Sequence, residues 1–244
     1  MPEISKTADQ ALAALAELCE SGPMTAAQLS RSMGLNRTIV HRLLTTLHRR
    51  GFITRHNGSY QPGALLVRMA SRVQPELRAA AAEAMAALAE EAGETVVMHI
   101  ADGNDAVVLD QVVGVRHVVR VEHRIGSRHP LTTGASGRAL LAFMEDGAAA
   151  RVIQGADDPV GLKQQLASVR ELGYSLSHDE LQQGVWGVAV PVRGQTGAVL
   201  SSLAVLIPAT RAPSIAEHLP ALRSSAMRIG DSLYRLDDLA DPPV

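Results

Sequence analysis

Residues 25–58 read TAAQLSRSMGLNRTIVHRLLTTLHRRGFITRHNG and contain most of the signals that predict the fold of the N-terminal part. Thr25 can cap a short helix with Gln28 as its capping-box partner, and Gly34 ends that helix. Asn36 can then cap a second, longer helix. Two capped helices joined by a tight turn predict a helix-turn-helix.

The longer helix is expected to reach about Arg50 and to stop at Gly51. Residues 52–61 follow as two short β-prone runs around Asn57-Gly58, a dipeptide that favours a hairpin turn. The hairpin makes this a winged helix-turn-helix. Apolar residues at helical spacing predict the inner face of the longer helix: Ile39, Leu43, Leu44 and Leu47.

Residues 6–20 predict a helix that precedes this motif. Cys19 is the one cysteine of the chain, so no internal disulfide can form and a reduced, cytoplasmic protein is expected. The first ten residues lack the basic-then-apolar layout of a signal peptide, so none is expected. The chain also has no apolar run of the roughly 18 residues that a membrane span needs. Four residues at helical spacing are expected to face the core: Leu12, Leu15, Ala16 and Cys19.

Charge is divided unevenly along the chain, although the net charge is only −2. Residues 1–72 contain nine lysines and arginines and four acidic residues, whereas the remaining 172 residues contain 14 and 21. Between Arg31 and His56 there are six arginines, three histidines and no acidic residue. This asymmetry predicts a polyanion-binding module joined to a domain with another role.

The second helix of a helix-turn-helix enters the major groove with its N-terminal residues against base edges. Arginine can pair with guanine and asparagine with adenine, whereas Arg49 and Arg55 are better placed for phosphates. The expected partner is double-stranded operator DNA, read by a homo-oligomer whose N-terminal helices and linker make symmetric contacts. The residues assigned to DNA are Thr25, Asn36, Arg37, Thr38, His41, Arg42, Thr45, Arg49 and Arg55.

Beyond the wing, residues 65–75 predict a linker helix between a DNA-binding domain over 1–64 and a second domain over 76–244. A long alanine-rich helix runs from Pro75 to about Glu91, and the hydrophobic period then changes to that of strands. The second domain is expected to be mixed α+β around an antiparallel sheet. Strands are predicted at 95–101, 105–113, 117–125, 184–192 and 197–207, and helices at 135–144, 160–172 and 211–235.

The run GLNRTIVHRLL, residues 34–44, resembles the recognition segment of the isocitrate lyase regulator (IclR) family. Leu47, Gly51-Phe52 and the run 60–63, YQPG, continue the resemblance. It extends over nearly the whole chain, in order, through the following segments: 93–95, 126–131, 136–142, 173–174, Glu180, 184–185 and 189–192.

The resemblance implies a GAF-like domain that binds a small effector, often a carboxylate or an aromatic metabolite. It also implies dimers or tetramers and repression or activation of catabolic operons. We expect repression rather than activation, and no cofactor. Helix-opening amides at Ala135-Ser136 could hold a carboxylate. Ala204 and Leu206 stand where the family often has serines, so an effector larger or more apolar than glyoxylate is expected, with Trp186 near its rim. By the family pattern the pocket is lined by Val118, Val121, Ala135, Ser136, Ser177, Asp179, Gly187, Ala204 and Leu206.

Three alternatives compete with a ligand-responsive regulator. A hydrolase could draw on His99, Asp102, Ser136 and Asp179, but residues 134–137 do not form a G-x-S-x-G elbow, so no catalytic residue is assigned. A metal site could draw on His117, His123 and His129, joined by His99, but the spacing is a weak signal and no metal is expected. A DNA-binding protein without an effector would not need the large acidic second domain.

Overall fold

The computed structural model describes the backbone of residues 4–240 and the side chains of residues 4–234. The chain divides into two compact units, one ending at Pro75 and the other starting at Glu76. The expected domain ranges also include residues 1–3 and 241–244, which lie outside the described residues. No helix within the described part is both long and apolar enough to cross a membrane.

The first unit has the predicted order of helix, helix, turn, helix and hairpin. Its two strands pair antiparallel, with Ile53 opposite Pro62 and His56 opposite Ser59. The wing is tied back to the helices by a bridge between Met24 and Tyr60. The elements are α1 (Lys6–Ser21), α2 (Ala26–Ser32), α3 (Arg37–Arg49), β1 (Ile53–His56), β2 (Ser59–Pro62) and α4 (Leu65–Ala70).

Local sequence signals explain where these elements begin and end. Thr25 and Gln28 form the complete capping box at α2, and the side chain of Asn36 accepts a hydrogen bond from Thr38 N–H at the start of α3. Asn57 and Gly58 both have positive φ, of 48° and 81°, as the predicted hairpin turn requires. The winged helix-turn-helix is therefore confirmed.

The core of the first unit differs from the prediction on two helices. On α3, Val40 is buried and Ile39 is exposed, whereas Leu43, Leu44 and Leu47 are buried as expected. On α1 the buried residues are Ala14 and Leu18. Leu12, Ala16 and Cys19 face solvent, and Leu15 is half-buried. Most of the predicted stripe of α1 is thus left uncovered by the unit, and only Leu15 packs against its core.

The second unit is built on one antiparallel sheet of six strands, in the order β5-β4-β3-β8-β7-β6. Its strands are β3 (Thr95–Asp102), β4 (Asp105–Val112), β5 (Arg128–Pro130), β6 (Ser175–His178), β7 (Val185–Arg193) and β8 (Val199–Pro208). Its helices are α5 (Pro75–Ala92), α6 (Gly134–Leu141), α7 (Asp146–Gln154), α8 (Pro159–Leu172), a 3₁₀ helix (Ala209–His218) and α9 (Leu219–Ala240).

Each face of the sheet packs against a different set of helices. Met98, Leu203 and Val205 belong to the core that includes residues of α5 and α9. The alternate residues Val97 and Ala204 pack on the opposite face with residues of α6. This arrangement confirms the predicted α+β class, with helices on both faces of an antiparallel sheet.

Several element boundaries were predicted wrongly. Residues 117–125 form no strand, because β5 pairs with the first part of β4 and the segment is held by side-chain hydrogen bonds instead. The linker helix ends at Ala70 rather than residue 75, and the final helix is preceded by a 3₁₀ helix that contains Pro213. The sequence patterns did not predict three short elements: β5, β6 and α7.

Candidate DNA-binding surface and effector site

The outer face of α3 carries a row of exposed polar side chains. Arg37, Thr38, His41 and Arg42 are all exposed, on the side opposite the buried leucines. The side chains of Arg37, His41 and Arg42 make no hydrogen bond or ion pair with any other residue in the described part of the chain. Free cations and donors along the first half of an exposed helix suit a negatively charged partner.

Three other residues assigned to DNA are already hydrogen-bonded within the protein. The Asn36 Oδ1 atom accepts from Thr38 N–H at 2.8 Å, and this bond orients the amide over the first turn of α3. The Thr25 hydroxyl accepts from Gln28 N–H at 3.3 Å and donates to Gln28 Oε1 at 2.8 Å. The Thr45 hydroxyl donates to His41 O at 2.8 Å. All three side chains thus bond to atoms within the helix-turn-helix itself.

Two further arginines extend the basic surface beyond the first turns of α3. Arg49 lies in the last turn of α3 and is exposed. Arg55 is exposed on β1, and its guanidinium carbon lies 5.5 Å from the centre of the Tyr60 ring. A cation held over an aromatic face keeps its charge available to solvent. Both positions therefore suit phosphate contacts.

An apolar cluster on the α6 face of the sheet contains four of the nine residues expected to line the effector pocket: Val121, Ala135, Ala204 and Leu206. Gly187 lies beside it: a Cβ atom there would sit 3.1 Å from Ser177 Oγ, 3.2 Å from Leu206 Cδ2 and 3.7 Å from Ala135 Cβ. Ser136 is buried in the first turn of α6. Seven of the nine residues therefore lie on or next to this face.

Val118 and Asp179 do not join the other pocket residues. Val118 is 97% exposed, because the surrounding segment is not the expected strand and is held through its neighbours, including Val119 O, which accepts from Arg211. Asp179 is exposed, with a positive φ of 58°, and its Oδ1 atom accepts from Gly184 N–H at 2.6 Å. It closes a turn, and both expectations are corrected.

The N-terminus of α6 already holds a carboxylate. Glu180 Oε2 accepts from Gly134 N–H at 2.8 Å, and both Glu180 oxygens accept from the guanidinium of Arg138 at 2.7 Å. Burial raises the pKa of Glu180, but these donors outweigh it and hold the pKa below its usual range. The family resemblance includes Glu180, but the sequence alone predicts no role for it.

Several side chains that could serve catalysis or metal binding are paired with other groups of the chain. Asp102 pairs with Arg128 at 2.7 Å, and Asp179 is used in its turn. His117 lies 3.8 Å from the buried carboxylate of Glu94. His99, His123 and His129 do come together, but no group of three potential ligands within the described chain has the geometry to hold a metal ion.

Family models match both units of the chain. Residues 7–57 match the IclR helix-turn-helix domain, and residues 69–230 match the bacterial transcriptional regulator IclR C-terminal domain. The chain belongs to the IclR family. IclR-family proteins are DNA-binding transcriptional regulators rather than enzymes, and the helix-turn-helix makes DNA a partner of this one.

Three similar proteins illustrate the relationship. The chain is 30% identical to the transcriptional regulator XynR of Escherichia coli K12, over 72% of this chain and 75% of that protein. It is 27% identical to the transcriptional repressor IclR of the same organism, over 78% and 75%. An IclR homologue from Microbacterium hydrocarbonoxydans, solved in complex with 4-hydroxybenzoate, has the same fold, with a TM-score of 0.81 at 21% identity over 94% of this chain and 100% of that one.

Proposed function

We propose that this IclR-family protein is a repressor that reads operator DNA with α3 and releases it when a small organic or aromatic acid binds in the second unit. The observation that carries the DNA-binding part is the row of exposed, unpaired side chains on α3, Arg37, His41 and Arg42. Such a row can meet base edges when a helix lies in the major groove.

The DNA-contacting residues fall into two groups. Arg37, Thr38, His41 and Arg42 occupy the first half of α3 and read bases. Arg49 and Arg55 lie at its far end and on the wing, where they bind phosphates without regard to sequence. Thr25 and Asn36 support these groups by capping α2 and α3, as their hydrogen bonds indicate. Thr45 lies one turn further along α3, with its hydroxyl bonded to His41 O.

The effector site is the apolar cluster beside Gly187. It combines a largely apolar lining with a few polar groups, such as Ser177, as small-molecule sites do. The binding of 4-hydroxybenzoate by the Microbacterium homologue of the same fold supports an aromatic acid as effector. Repression is supported by the similarity to the E. coli repressor.

We divide the chain into a DNA-binding domain over 1–64, a linker over 65–75 and an effector domain over 76–244. Self-association as a dimer or tetramer is supported by the uncovered apolar face of α1, where Leu12 is 65% exposed. Two copies present two recognition helices, and operators with two half-sites match that symmetry.

Footprinting on the upstream intergenic DNA, with and without a panel of organic and aromatic acids, tests the proposal. Arg42→Ala should weaken specific binding by about ten- to a hundredfold, because one base-pairing side chain is lost. Arg151→Ala, which removes an exposed arginine of the second unit, is the matched control and should leave binding unchanged. Equal protection by both variants would refute the assignment of α3 to the groove.

The acid panel separates the proposal from its main alternative. Release of the protected DNA by an acid, at constant salt, supports effector control. Protection that responds to salt but to no member of the panel supports DNA binding without an effector. Stronger protection in the presence of an acid would reverse the sign of the regulation.

A further inference from the structure

Three histidines that are far apart in the sequence meet at one end of the apolar cluster. The ring of His99, on β3, lies 5.3 Å from that of His129, on β5, and 6.1 Å from that of His123, measured between ring centres. His123 belongs to the irregular segment between β4 and β5, and its backbone N–H donates to Gln111 Oε1 at 3.0 Å. We call His99, His123 and His129 the histidine cluster.

Several polar atoms in and beside the cluster are buried without a hydrogen-bond partner in the described chain. Both ring nitrogens of His99, which is 1% exposed, lack a partner, as do His129 Nε2 and the hydroxyl of Ser202. Ser202 is paired with His99 in the register of β3 and β8. Buried polar groups in proteins are nearly always hydrogen-bonded, so these atoms require partners that the described chain does not supply.

The cluster is continuous with the proposed effector site. In the register of β3 and β8, Val97 pairs with Ala204 and His99 pairs with Ser202, so these residues lie on the same face of the sheet. Ala204 and Leu206 offer a ligand no polar side-chain atom. Ser202 is the next residue of β8 on this face, and it brings a hydroxyl to the histidines.

We propose that the histidine cluster and Ser202 bind the carboxylate of an aromatic or similarly apolar acid, whose hydrocarbon part packs on Val97, Val121 and Ala204. This inference rests on the proposed function and adds the polar half of its site. The Nδ1 atom of His129 donates to Pro130 O at 3.2 Å, which leaves Nε2 to face the ligand.

The charged neighbours favour an anion at this position. The nearby carboxylates that act on His129 are Asp105 and Glu180, and they are already paired with Arg128 and Arg138. No unpaired carboxylate of the described chain faces the cluster, so an incoming one meets no repulsion from an unneutralised charge. It would also supply the hydrogen-bond acceptor that protonated imidazoles require.

The cluster makes binding depend on pH. Burial, and then the proximity of His129 and His123, lowers the pKa of His99 well below its usual value. Burial also lowers the pKa values of His123 and His129. The unliganded cluster is therefore largely neutral at pH 7, and a bound carboxylate raises these values. Binding takes up protons and becomes tighter as the pH falls.

Titration calorimetry on the full chain tests this inference, with benzoate, phenylacetate and 4-hydroxybenzoate as probes and 4-hydroxybenzamide as their uncharged counterpart. Proton uptake is obtained from the binding enthalpy in buffers of different ionisation enthalpy. We expect an acid to bind about tenfold more tightly at pH 6.5 than at pH 8.0, with net proton uptake, and the amide to bind more weakly without it.

His123→Gln is the informative variant, because His123 is half-buried and glutamine keeps a polar side chain without a titrating group. It should weaken acid binding about tenfold at pH 6.5 and reduce proton uptake. Ser202→Ala should weaken binding at both pH values. His218→Gln, at a half-buried histidine of the 3₁₀ helix, is the matched control and should change neither.

Each remaining outcome overturns the inference. An acid that binds and releases DNA without proton uptake, equally in His123→Gln and Ser202→Ala, would leave the proposed function intact and refute the role of the cluster. Binding that requires added zinc would assign the histidines to a metal. If none of the acids binds, both the inference and the acid effector of the proposed function are wrong.

Discussion

At the scale of single residues, Glu180 and Arg138 show how a charge pair can fix a site. Arg138 is 8% exposed on the side chain and makes two hydrogen bonds to Glu180 and a third, at 2.7 Å, to Leu176 O. The pair joins α6 to the turn that follows β6. A buried guanidinium without its carboxylate would keep the cost of leaving water and lose its compensation.

Glu180→Gln should therefore lower the free energy of unfolding by about 1–3 kcal/mol at pH 7, as measured by urea denaturation. Because the folded-state pKa of Glu180 is lowered, this contribution is present above the unfolded value near 4.3 and is lost as the pH falls through the folded value. The difference between wild type and variant should shrink below about pH 4. A difference that stays constant down to pH 3 would show that the carboxylate charge is not the cause.

The residue-level assignments differ in how well the sequence could predict them. The caps at Thr25 and Asn36 depend on neighbours within three residues, so their roles can be predicted from the local sequence. The meeting of His99, His123 and His129 depends on strand order and on an irregular segment, which no local pattern encodes. The spacing of these histidines in the sequence indicated a metal site only weakly, whereas the fold places them beside the predicted effector pocket.

At the scale of elements, the start of α3 raises the question whether Asn36 can both cap the helix and read a base. Asn36 was predicted both to cap α3 and to pair with adenine, and a bidentate adenine contact needs both its amide oxygen and its amide nitrogen. The oxygen accepts from Thr38 N–H in the structure. Loss of the cap would expose the amides of the first turn, so the two tasks compete.

Asn36→Ser and Asn36→Ala distinguish these two tasks. Serine caps helices about as well as asparagine, so Asn36→Ser should keep both stability and operator preference. Asn36→Ala should lower the free energy of unfolding by about 1 kcal/mol. Denaturation of both variants, with competition binding to operators carrying single base changes, provides the check. A changed base preference in the serine variant would show that Asn36 reads a base.

The ends of elements were predictable from sequence where glycine residues stop a helix. They were not predictable where pairing between strands determines which segment joins the sheet. Gly34 and Gly51 end the helices of the first unit as expected, both with positive φ. The alternation in residues 117–125 predicted a strand, but β5 pairs with Asp105 and Val107 on β4, and Thr95 Oγ1 binds Val121 O at 2.6 Å. The alternating apolar and polar residues of this segment are therefore held by separate side-chain hydrogen bonds and not by the backbone pairing of a strand.

At the scale of the whole molecule, the apolar stripe of α1 that the sequence predicted to face the core is largely exposed instead. The helix was predicted correctly, but Leu12, Ala16 and Cys19 face solvent and Leu18 faces the core. Leucine and alanine occur on both sides of α1, so periodicity alone could not choose the inner face. An exposed apolar stripe on a small domain is typical of a surface that binds another protein chain.

Leu12→Glu should therefore shift the protein toward the monomer in analytical ultracentrifugation, because a charge would have to be buried if α1 packs against a second copy. Ala13→Glu, which adds the same charge at an exposed position about 100° around the helix, is the matched control and should keep the oligomer. DNA containing a single half-site should bind Leu12→Glu and wild type equally, since α3 is untouched. A two-half-site operator should bind the variant at least about tenfold more weakly, because the second recognition helix is no longer tethered to the first. An unchanged mass together with unchanged operator affinity would assign the oligomer contacts to another surface and leave the exposed stripe of α1 without a role in self-association.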